Sequence, residues 1–539
     1  MKKIIPYVPI ILSGLLFTIL QTKIYNLGIS YRDEGFLVNN AWQINQGKIP
    51  YKDFFLTTTP LTFYTQSILF RLFGNYLITD RIFYIALILI LLYLANKIFY
   101  LKLSSSVILL CSIALSQVGA GAFSFYNIET LVLIFLSLLV IGKFITVKHK
   151  YLIFVLGMIC GILFLFKQSV GGAIIIGYFI AIYFYTDPKN LLYYFLGISF
   201  ATIPFLFYFY INNALSEMIY YTFFFASSVK TYGFPFMYHR IIPIITFLIY
   251  GHITKKTHIR SKLIFVFAGL ITTALYILSD SQKITLFLNS LRSFLFYFQI
   301  LFYGITLKLL LPNLQSKKNA LLPIYAIILL SAFFGYALSG YSIGTIITIF
   351  PLLVLLLFYL YENTPNYKLL YKSSLLIFIL STIAYTNIFT VITNFSKNSK
   401  VFNVQLVDDS KYFTDIPQLK NIKVTIVEKN ELEDLDRYVN ANLKPSDYVF
   451  CFPYCPMINY LNHRHNSTYF SFFFGETFAA GDQIEVINKL KTSQHLLIVQ
   501  KMGLIEPEAE YENSRLNILV DYLNSITTIS ESGNFRIKR

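Results

Sequence analysis

Apolar segments of about 20 residues recur along most of this chain, and each is long enough to cross a bilayer as a helix. The mean hydropathy is +0.60, and 13% of the 539 residues are charged, whereas soluble domains carry about 25%. With 4 Cys, 17 Pro and 25 Gly, the composition also excludes disulfide-framework, collagenous and disordered chains. The sequence therefore predicts an integral membrane protein.

About thirteen spans are predicted. The first follows Lys2 and Lys3 and has no small-x-small cleavage site after it, so we interpret it as a retained helix and not as a signal peptide. Lysine and arginine residues concentrate at alternate ends of the spans, which predicts a cytoplasmic N-terminus and an external segment after Thr390. The net charge of +17 is then mainly an orientation signal, and no nucleic-acid partner is expected. The predicted spans are 4–21, 78–101, 104–121, 126–146, 150–166, 168–186, 190–211, 239–254, 262–279, 285–311, 320–338, 342–361 and 372–391.

The composition changes near residue 393, after which lie 18 of the 27 acidic residues and no further apolar span. Apolar strand patterns at 448–452 and 495–499 alternate with helical patterns at 482–491 and 513–526, and a last strand pattern lies at 534–537. This alternation predicts a small α/β domain. We expect a membrane domain, 1–391, and an extracytoplasmic domain, 392–539.

The longest predicted external segment between spans, 22–77, carries adjacent acids, Asp33 and Glu34, just beyond the first span. At a membrane–water boundary, desolvation raises a carboxylate pKa and favours its use as a base. Two amphipathic segments follow, and we expect them to lie in the interface plane. An alternative reading is that both acids are ordinary solvated loop residues.

Several short motifs in and after this segment occur in a fixed order. They are Asp33-Glu34, Gly47-x-x-Pro50, Pro60-Leu61-x-x-Tyr64, Leu72-Phe73-Gly74 and Arg81. The ordered set resembles the GT-C superfamily of membrane glycosyltransferases, in particular the branch of protein O-mannosyltransferases and lipid A aminoarabinose transferases. The resemblance implies a GT-C-like fold, an inverting sugar transfer from a polyprenyl-phosphate carrier on the external face, and Asp33 as the catalytic base.

The resemblance also assigns supporting residues. Glu129 occupies a position where the family usually has Asp, and with Glu34 it would assist the base; the alternative for Glu129 is a boundary residue at a membrane end. Arg81, which the family shares, would hold the donor phosphate. Lys167 is not assigned by the resemblance, but it interrupts the apolar stretch between Leu163 and Ile176 at a predicted external turn and is placed to contact the same phosphate. Both residues are also suited to contacting lipid headgroups. Thr59 stands where the aminoarabinose transferases place a Lys, so it supplies a hydroxyl without a charge, which argues against an aminoarabinose transferase as such.

Aromatic and histidine side chains complete the candidate substrate site. Tyr31, Tyr64 and Tyr126 lie near the proposed acids in sequence, and we expect them to bind sugar. His463 and His465, in a polar loop of the external domain, would contact the acceptor or form a solvated turn.

Cys451 and Cys455 with His463 and His465 also have the residue types of a zinc site or, for the cysteines alone, of a disulfide; we expect neither. No metal ligands and no cofactor are assigned, and a divalent metal ion stays open.

The sequence thus predicts a membrane glycosyltransferase whose partners are a polyprenyl-phosphate sugar, membrane lipid and an acceptor that is a glycan, a lipid or a protein. We expect it in a prokaryotic cytoplasmic membrane as a multi-pass protein of cell-envelope glycan biosynthesis. A transporter or lipid flippase is the alternative from another class, but transporters place polar groups at mid-membrane in two related halves. An inactive relative that serves in assembly is the second alternative. The sequence identifies neither the sugar nor the acceptor.

Overall fold

The computed structural model describes residues 25–99, 126–225, 321–338, 411–453, 455–471, 473, 480–502 and 516–539, with isolated positions between 11 and 22. The chain divides into two compact units. One of them consists of Met1–Val229, Ile324–Leu356 and Asn398–Arg539, and it contains all described residues except 321–323. The description below concerns that unit.

Helices account for most of the described residues. Four of them are long and apolar enough to cross a membrane, at Leu77–Ile98, Tyr126–Val147, Gln168–Tyr185 and Asn190–Ile211, and a shorter apolar helix lies at Lys150–Phe166. The helices are α1 Asp33–Asn45, α2 Leu61–Phe73, α3 Leu77–Phe99, α4 Tyr126–Val147, α5 Lys150–Phe166, α6 Gln168–Tyr185, α7 Asn190–Ile211, α8 Leu215–Ile219 with a π-helical turn at Tyr220–Phe225, and α9 Leu321–Leu338.

Helices α3 to α7 and α9 coincide within a few residues with six of the predicted spans. The other predicted spans lie wholly or mainly outside the described residues, so the number of about thirteen stays a prediction, as does the orientation.

Two glycines allow α5 and α7 to approach closely. A Cβ built on Gly157 would lie 2.1 Å from the carbonyl oxygen of Tyr194, and one on Gly197 would lie 2.1 Å from that of Phe154. Small residues are the usual means by which membrane helices bring their backbones together. This packing fixes the end of α5, and therefore the turn that carries Lys167.

Helix α1 is buried along nearly its whole length, from Glu34 to Ile44. Gly35 faces a short helix of the C-terminal region, where a Cβ would lie 2.5 Å from the backbone nitrogen of Met457. The prediction that this segment lies in the interface plane stays a prediction, and the burial shows only that α1 is covered by other parts of the protein. Its composition is apolar on several sides because the C-terminal region covers it. Helix α2 does expose a row of large apolar side chains, Ile68, Leu72 and Phe73.

The C-terminal region contains a mixed four-stranded sheet of order β3-β4-β6-β5, in which β3 and β4 are parallel and the other neighbours antiparallel. A separate two-stranded ribbon, β1-β2, precedes it. The elements are β1 Tyr412–Phe413, a 3₁₀ turn at Pro417–Leu419, β2 Lys423–Val424, α10 Ile426–Asn442, β3 Tyr448–Phe452, α11 Pro456–Leu461, α12 Ala480–Thr492, β4 Leu496–Lys501, α13 Asn517–Ser525, β5 Thr528–Ser532 and β6 Phe535–Lys538.

The structure contains every strand and helix predicted here and adds β1, β2, α10, α11 and β5. Helix α10 begins at a capping box formed by Thr425 and Glu428. A disulfide joins Cys451 and Cys455 across the turn between β3 and α11, so the expectation that these cysteines form no disulfide is wrong. The region belongs to the same compact unit as the first external segment. The predicted domain boundary at 391–392 lies outside the described residues.

Candidate active site

The buried ion pair between Glu34 and Arg81 anchors the segment that leads into α1. Arg81 Nε and Nη2 donate to the two carboxylate oxygens of Glu34 at 2.8 and 3.0 Å. Nη1 donates to the carbonyls of Tyr25 and Leu27, both at 3.1 Å, and Nη2 to that of Gly28 at 2.7 Å. A charge buried in this way is stable only when its hydrogen-bonding groups are satisfied.

All five N–H groups of Arg81 thus have acceptors within the protein. The sequence hypothesis used Arg81 as a phosphate contact and Glu34 as an acid beside the base. The geometry favours a different role for both, because the pair fastens the start of α3 to the loop before α1. The ion pair thereby holds the N-terminus of α1, whose first residue is Asp33.

Asp33 is exposed, whereas the neighbouring Glu34 is fully buried. The carboxylate stands in the first turn of α1, where the helix dipole favours a negative charge. Asp33 also acts electrostatically on Tyr126, the first residue of α4. The two adjacent acids therefore have opposite environments, and Asp33 is the one that a substrate can reach.

Lys167 is the single residue between α5 and α6; its backbone is extended, and the residue is 3% exposed. Its Nζ donates to Asn127 Oδ1 at 2.6 Å and lies 4.6 Å from the ring centre of Tyr126. The ring of Tyr336, on α9, is 5.2 Å away, and its hydroxyl donates to the Asn127 carbonyl at 3.0 Å. Aromatic faces and an amide oxygen thus hold a buried cation in place.

Glu129 lies on α4, three residues after Tyr126, and is buried. It accepts a hydrogen bond from the hydroxyl of Thr62 on α2. The side chain therefore ties α2 to α4 directly behind the position of Tyr126.

Thr59 is buried and connects the first external segment to the residue after Lys167. Its backbone N–H donates to Gln168 Oε1 at 3.2 Å. The Gln168 amide donates in turn to the carbonyls of Thr57 at 3.2 Å and Thr222 at 3.1 Å. Thr59 is thus next to the turn that carries Lys167, and its hydroxyl donates to Gln168 Oε1 at 3.5 Å.

The structure therefore brings several of the predicted site residues to the ends of α1, α4 and α5. We call this group the Asp33–Lys167 site; its members are Asp33, Thr59, Tyr126, Glu129 and Lys167. It combines an exposed carboxylate, which can accept a proton, with a buried cation that can balance an anion. The ring of Tyr126 contacts Lys167 Nζ, and the Asp33 charge acts electrostatically on the Tyr126 hydroxyl.

Two of the predicted tyrosines lie elsewhere. Tyr31 is buried against the C-terminal region, with Lys501 Nζ 4.0 Å from its ring centre and Phe535 at 6.2 Å. Burial, together with Glu428 and Glu431, raises the pKa of its hydroxyl well above the ordinary value. Tyr64 packs edge-on against Phe205 and Tyr208 of α7. In these positions both tyrosines have packing roles, which is not what the sequence hypothesis assigned to them.

His463 and His465 stack on Trp42, with ring centres at 5.5 and 4.7 Å. Trp42 lies nine residues after Asp33, or about 14 Å along the axis of α1 at 1.5 Å per residue. The two histidines therefore support the middle of α1 and lie away from the Asp33–Lys167 site.

Burial lowers the pKa of both imidazoles, with contributions from Arg464 at His463 and from Lys48 at His465. The cysteines of the candidate array are joined to each other, and no group of three or more His, Cys, Asp or Glu side chains in the described part of the chain is arranged to hold a metal ion.

Sequence reasoning missed Asn127, Tyr336 and Thr62 as members of the site. Asn127 follows Tyr126 directly, and its polarity at the start of a span was a usable signal. Thr62 lies next to the Pro60-Leu61 motif. No sequence signal identifies Tyr336 as a site residue, because nothing distinguishes it from the other tyrosines in apolar segments.

No family model matches this sequence, and no curated protein matches it either. Among solved structures, the chain is similar to ArnT from Cupriavidus metallidurans, in a structure bound to undecaprenyl phosphate and in one of the apo state. Each comparison covers 97% of this chain and 97% of ArnT, with 11% sequence identity and a TM-score of 0.47. A similarity of this size leaves function to be argued from the residues of this chain.

Proposed function

We propose that this chain is a membrane glycosyltransferase that moves a sugar from a polyprenyl-phosphate donor to an acceptor hydroxyl, with inversion at the anomeric carbon. The observation that carries the proposal is the pairing of an exposed carboxylate, Asp33, with a buried cation, Lys167, whose Nζ lies 4.6 Å from the ring centre of Tyr126. It supplies a base and a cation at the ends of membrane helices, where a lipid-linked sugar presents its phosphate. The ordered motifs from Asp33 to Arg81 point to the same chemistry.

In the proposed reaction, Asp33 takes the proton of the acceptor hydroxyl as its oxygen bonds to the anomeric carbon. The bond between that carbon and the phosphate oxygen breaks at the same time. Its electron pair leaves with the polyprenyl phosphate. A positioned general base of this kind contributes about 10²–10⁴-fold to rate.

Lys167 balances the charge that develops on the leaving phosphate. Because the rings of Tyr126 and Tyr336 surround its Nζ at 4.6 and 5.2 Å, little reorganisation is needed to present that charge. Thr59 donates a hydrogen bond to the same phosphate, and Tyr126 packs against the sugar. Glu129 orients the site through Thr62 and does not act as a second base.

Glu34 and Arg81 act as positioning residues. Their ion pair holds the N-terminus of α1, and therefore Asp33, against α3. His463 and His465 support α1 from the C-terminal region through Trp42 and do not contact the acceptor.

The site faces the extracytoplasmic side of a prokaryotic cytoplasmic membrane. The distribution of lysine and arginine supports a cytoplasmic N-terminus and an extracytoplasmic C-terminal region. The disulfide between Cys451 and Cys455 is of a kind that persists in an oxidising compartment.

The proposal is tested by reconstituting the purified protein in liposomes with lipids extracted from its source membrane. We expect polyprenyl-phosphate sugar to disappear and polyprenyl phosphate to appear in equal amounts, together with a glycosylated product, by mass spectrometry. Movement of the lipid-linked sugar across the bilayer, with no glycoside formed, would instead establish the flippase alternative. Mass spectrometry of surface glycans and lipids from a deletion strain then identifies the acceptor.

A further inference from the structure

Four large apolar side chains lie exposed together at the start of the C-terminal region. Tyr412 and Phe413 form β1 and are 43% and 50% exposed, and Ile426 and Val427, at the start of α10, are 43% and 58% exposed. Strand β2, which pairs with β1, ends two residues before Ile426. We call these four residues the Tyr412 patch. An apolar cluster of this kind on a water-facing region marks a contact surface.

Two contacts place the Tyr412 patch beside membrane-spanning segments. Lys423, in β2, accepts from the Gly28 N–H and donates to the Asn26 carbonyl, both at 2.7 Å. These residues directly follow the first predicted span. A second contact joins Lys420, whose Nζ lies 5.6 Å from the ring centre of Tyr76, and Tyr76 immediately precedes α3.

The β1-β2 ribbon is therefore fixed at the exit of one span and at the entrance of another. If the first predicted span and α3 cross a bilayer, as their length and composition allow, both points lie at the boundary between the hydrocarbon core and water. Its side chains fit that boundary: Tyr and Phe are accompanied by Lys411, Lys420 and Lys423, and Lys423 Nζ lies 5.7 Å from the ring centre of Phe413. Aromatic rings and lysines are the residues that anchor proteins at the level of lipid headgroups.

We infer that the Tyr412 patch inserts into the headgroup region of the bilayer and anchors the C-terminal region to the membrane surface. The apolar groups contact the upper acyl chains, and the lysines contact lipid phosphates. Leu72 and Phe73, at the end of α2 and a few residues before Tyr76, are exposed as well. The inference does not depend on sugar transfer, because it concerns only the position of the region relative to the bilayer.

Tryptophan fluorescence tests the inference, because the chain has one tryptophan, Trp42, which is 4% exposed. The test variant is Tyr412→Trp. Tyr448→Trp is its matched control, since Tyr448 is 41% exposed and lies at the end of the sheet opposite Lys501. Lys501 contacts Tyr31, in the segment before α1. The end of the sheet that carries Tyr448 is about 16 Å from Lys501, at 3.3 Å per residue, and is therefore expected to lie farther from the membrane. Phe413→Trp is a second test variant, and Phe200→Trp, on an exposed side of α7, reports lipid contact directly.

Each variant is reconstituted in liposomes of phosphatidylcholine and phosphatidylglycerol, with and without lipids brominated near the headgroup end of the acyl chain. After subtraction of the wild-type signal, Y412W and F413W are expected to lose about half of their added emission to brominated lipid, as an interfacial ring does. Y448W is expected to keep its emission and to be quenched by aqueous acrylamide. The inference fails if Y412W and F413W match Y448W in both quenchers while F200W is quenched by lipid.

Discussion

At the scale of single residues, the adjacent acids Asp33 and Glu34 have different environments and different proposed roles. Glu34 is buried, and both of its carboxylate oxygens accept hydrogen bonds from Arg81. Asp33, by contrast, is exposed at the N-terminus of α1. The neutral amide of a Glu34→Gln variant would leave Arg81 without a counter-charge. Asp33 is exposed, so its substitution is expected to affect chemistry much more than folding.

Lys167 is the residue on which phosphate binding is predicted to depend. We expect Lys167→Met to weaken binding of undecaprenyl phosphate by about tenfold or more, because removing a buried charge partner of an anion costs at least about 1.5 kcal/mol. The measurement is a titration of the purified protein with undecaprenyl phosphate, followed by thermal shift or microscale thermophoresis.

Lys189→Met is the matched control, since Lys189 is an exposed lysine in the turn between α6 and α7. Equal affinity of K167M and K189M for the lipid, with both proteins folded, would remove Lys167 from the donor site.

At the scale of elements, the Glu34–Arg81 pair joins the first external segment to α3. Breaking such a buried pair from one side costs about 3–5 kcal/mol, so Glu34→Gln is expected to lower the thermal midpoint clearly in detergent. The KM for the lipid donor, measured on the folded fraction, is expected to stay near the wild-type value. If Glu34→Gln has a normal thermal midpoint but a greatly raised KM for the lipid donor, Arg81 binds the donor phosphate and the positioning role is contradicted.

The sequence predicted the elements well where a single physical signal dominates. Runs of about 20 apolar residues located α3, α4 and α7, because the bilayer sets the length of a span. Alternating apolar strands located β3 and β4. It did not predict that α1 would be buried by α11, since that depends on a long-range contact between Gly35 and Met457.

The candidate site was predictable to a similar degree. Motif order predicts Asp33 as the base, and the polar interruption of an apolar stretch predicts Lys167 as a phosphate contact; both roles stay predictions. The role of Arg81 was not predictable, because only the fold shows that the carbonyls of Tyr25, Leu27 and Gly28 occupy its donors. Likewise, the spacing of His463 and His465 gave no sign that both rings stack on Trp42.

At the scale of the whole molecule, the C-terminal region packs on α1 through His463 and His465, which stack on Trp42. We call these three residues the seam. The pKa of each imidazole is lowered by burial, so the unfolded chain takes up a proton first as the pH falls. Stability is therefore expected to be present above the ordinary histidine pKa of 6.5 and to be lost progressively below it.

Thermal melts of the wild type and of His463→Gln and His465→Gln variants between neutral and mildly acidic pH check this expectation. The wild type is expected to lose more of its thermal midpoint on acidification than the variants do, because glutamine does not titrate. Parallel pH profiles for all three proteins would show that the seam does not sense pH.

The central claim is that Asp33 is the base of a sugar transfer. It is tested most directly by the transfer rate of Asp33→Asn in liposomes with source-membrane lipid donor, beside Asp521→Asn, which makes the same change at an exposed acid on α13. We predict that D33N lowers the rate by about 10²–10⁴-fold while D521N keeps it, with both proteins folded and binding undecaprenyl phosphate like the wild type. A folded D33N protein that transfers sugar at the wild-type rate would contradict the claim.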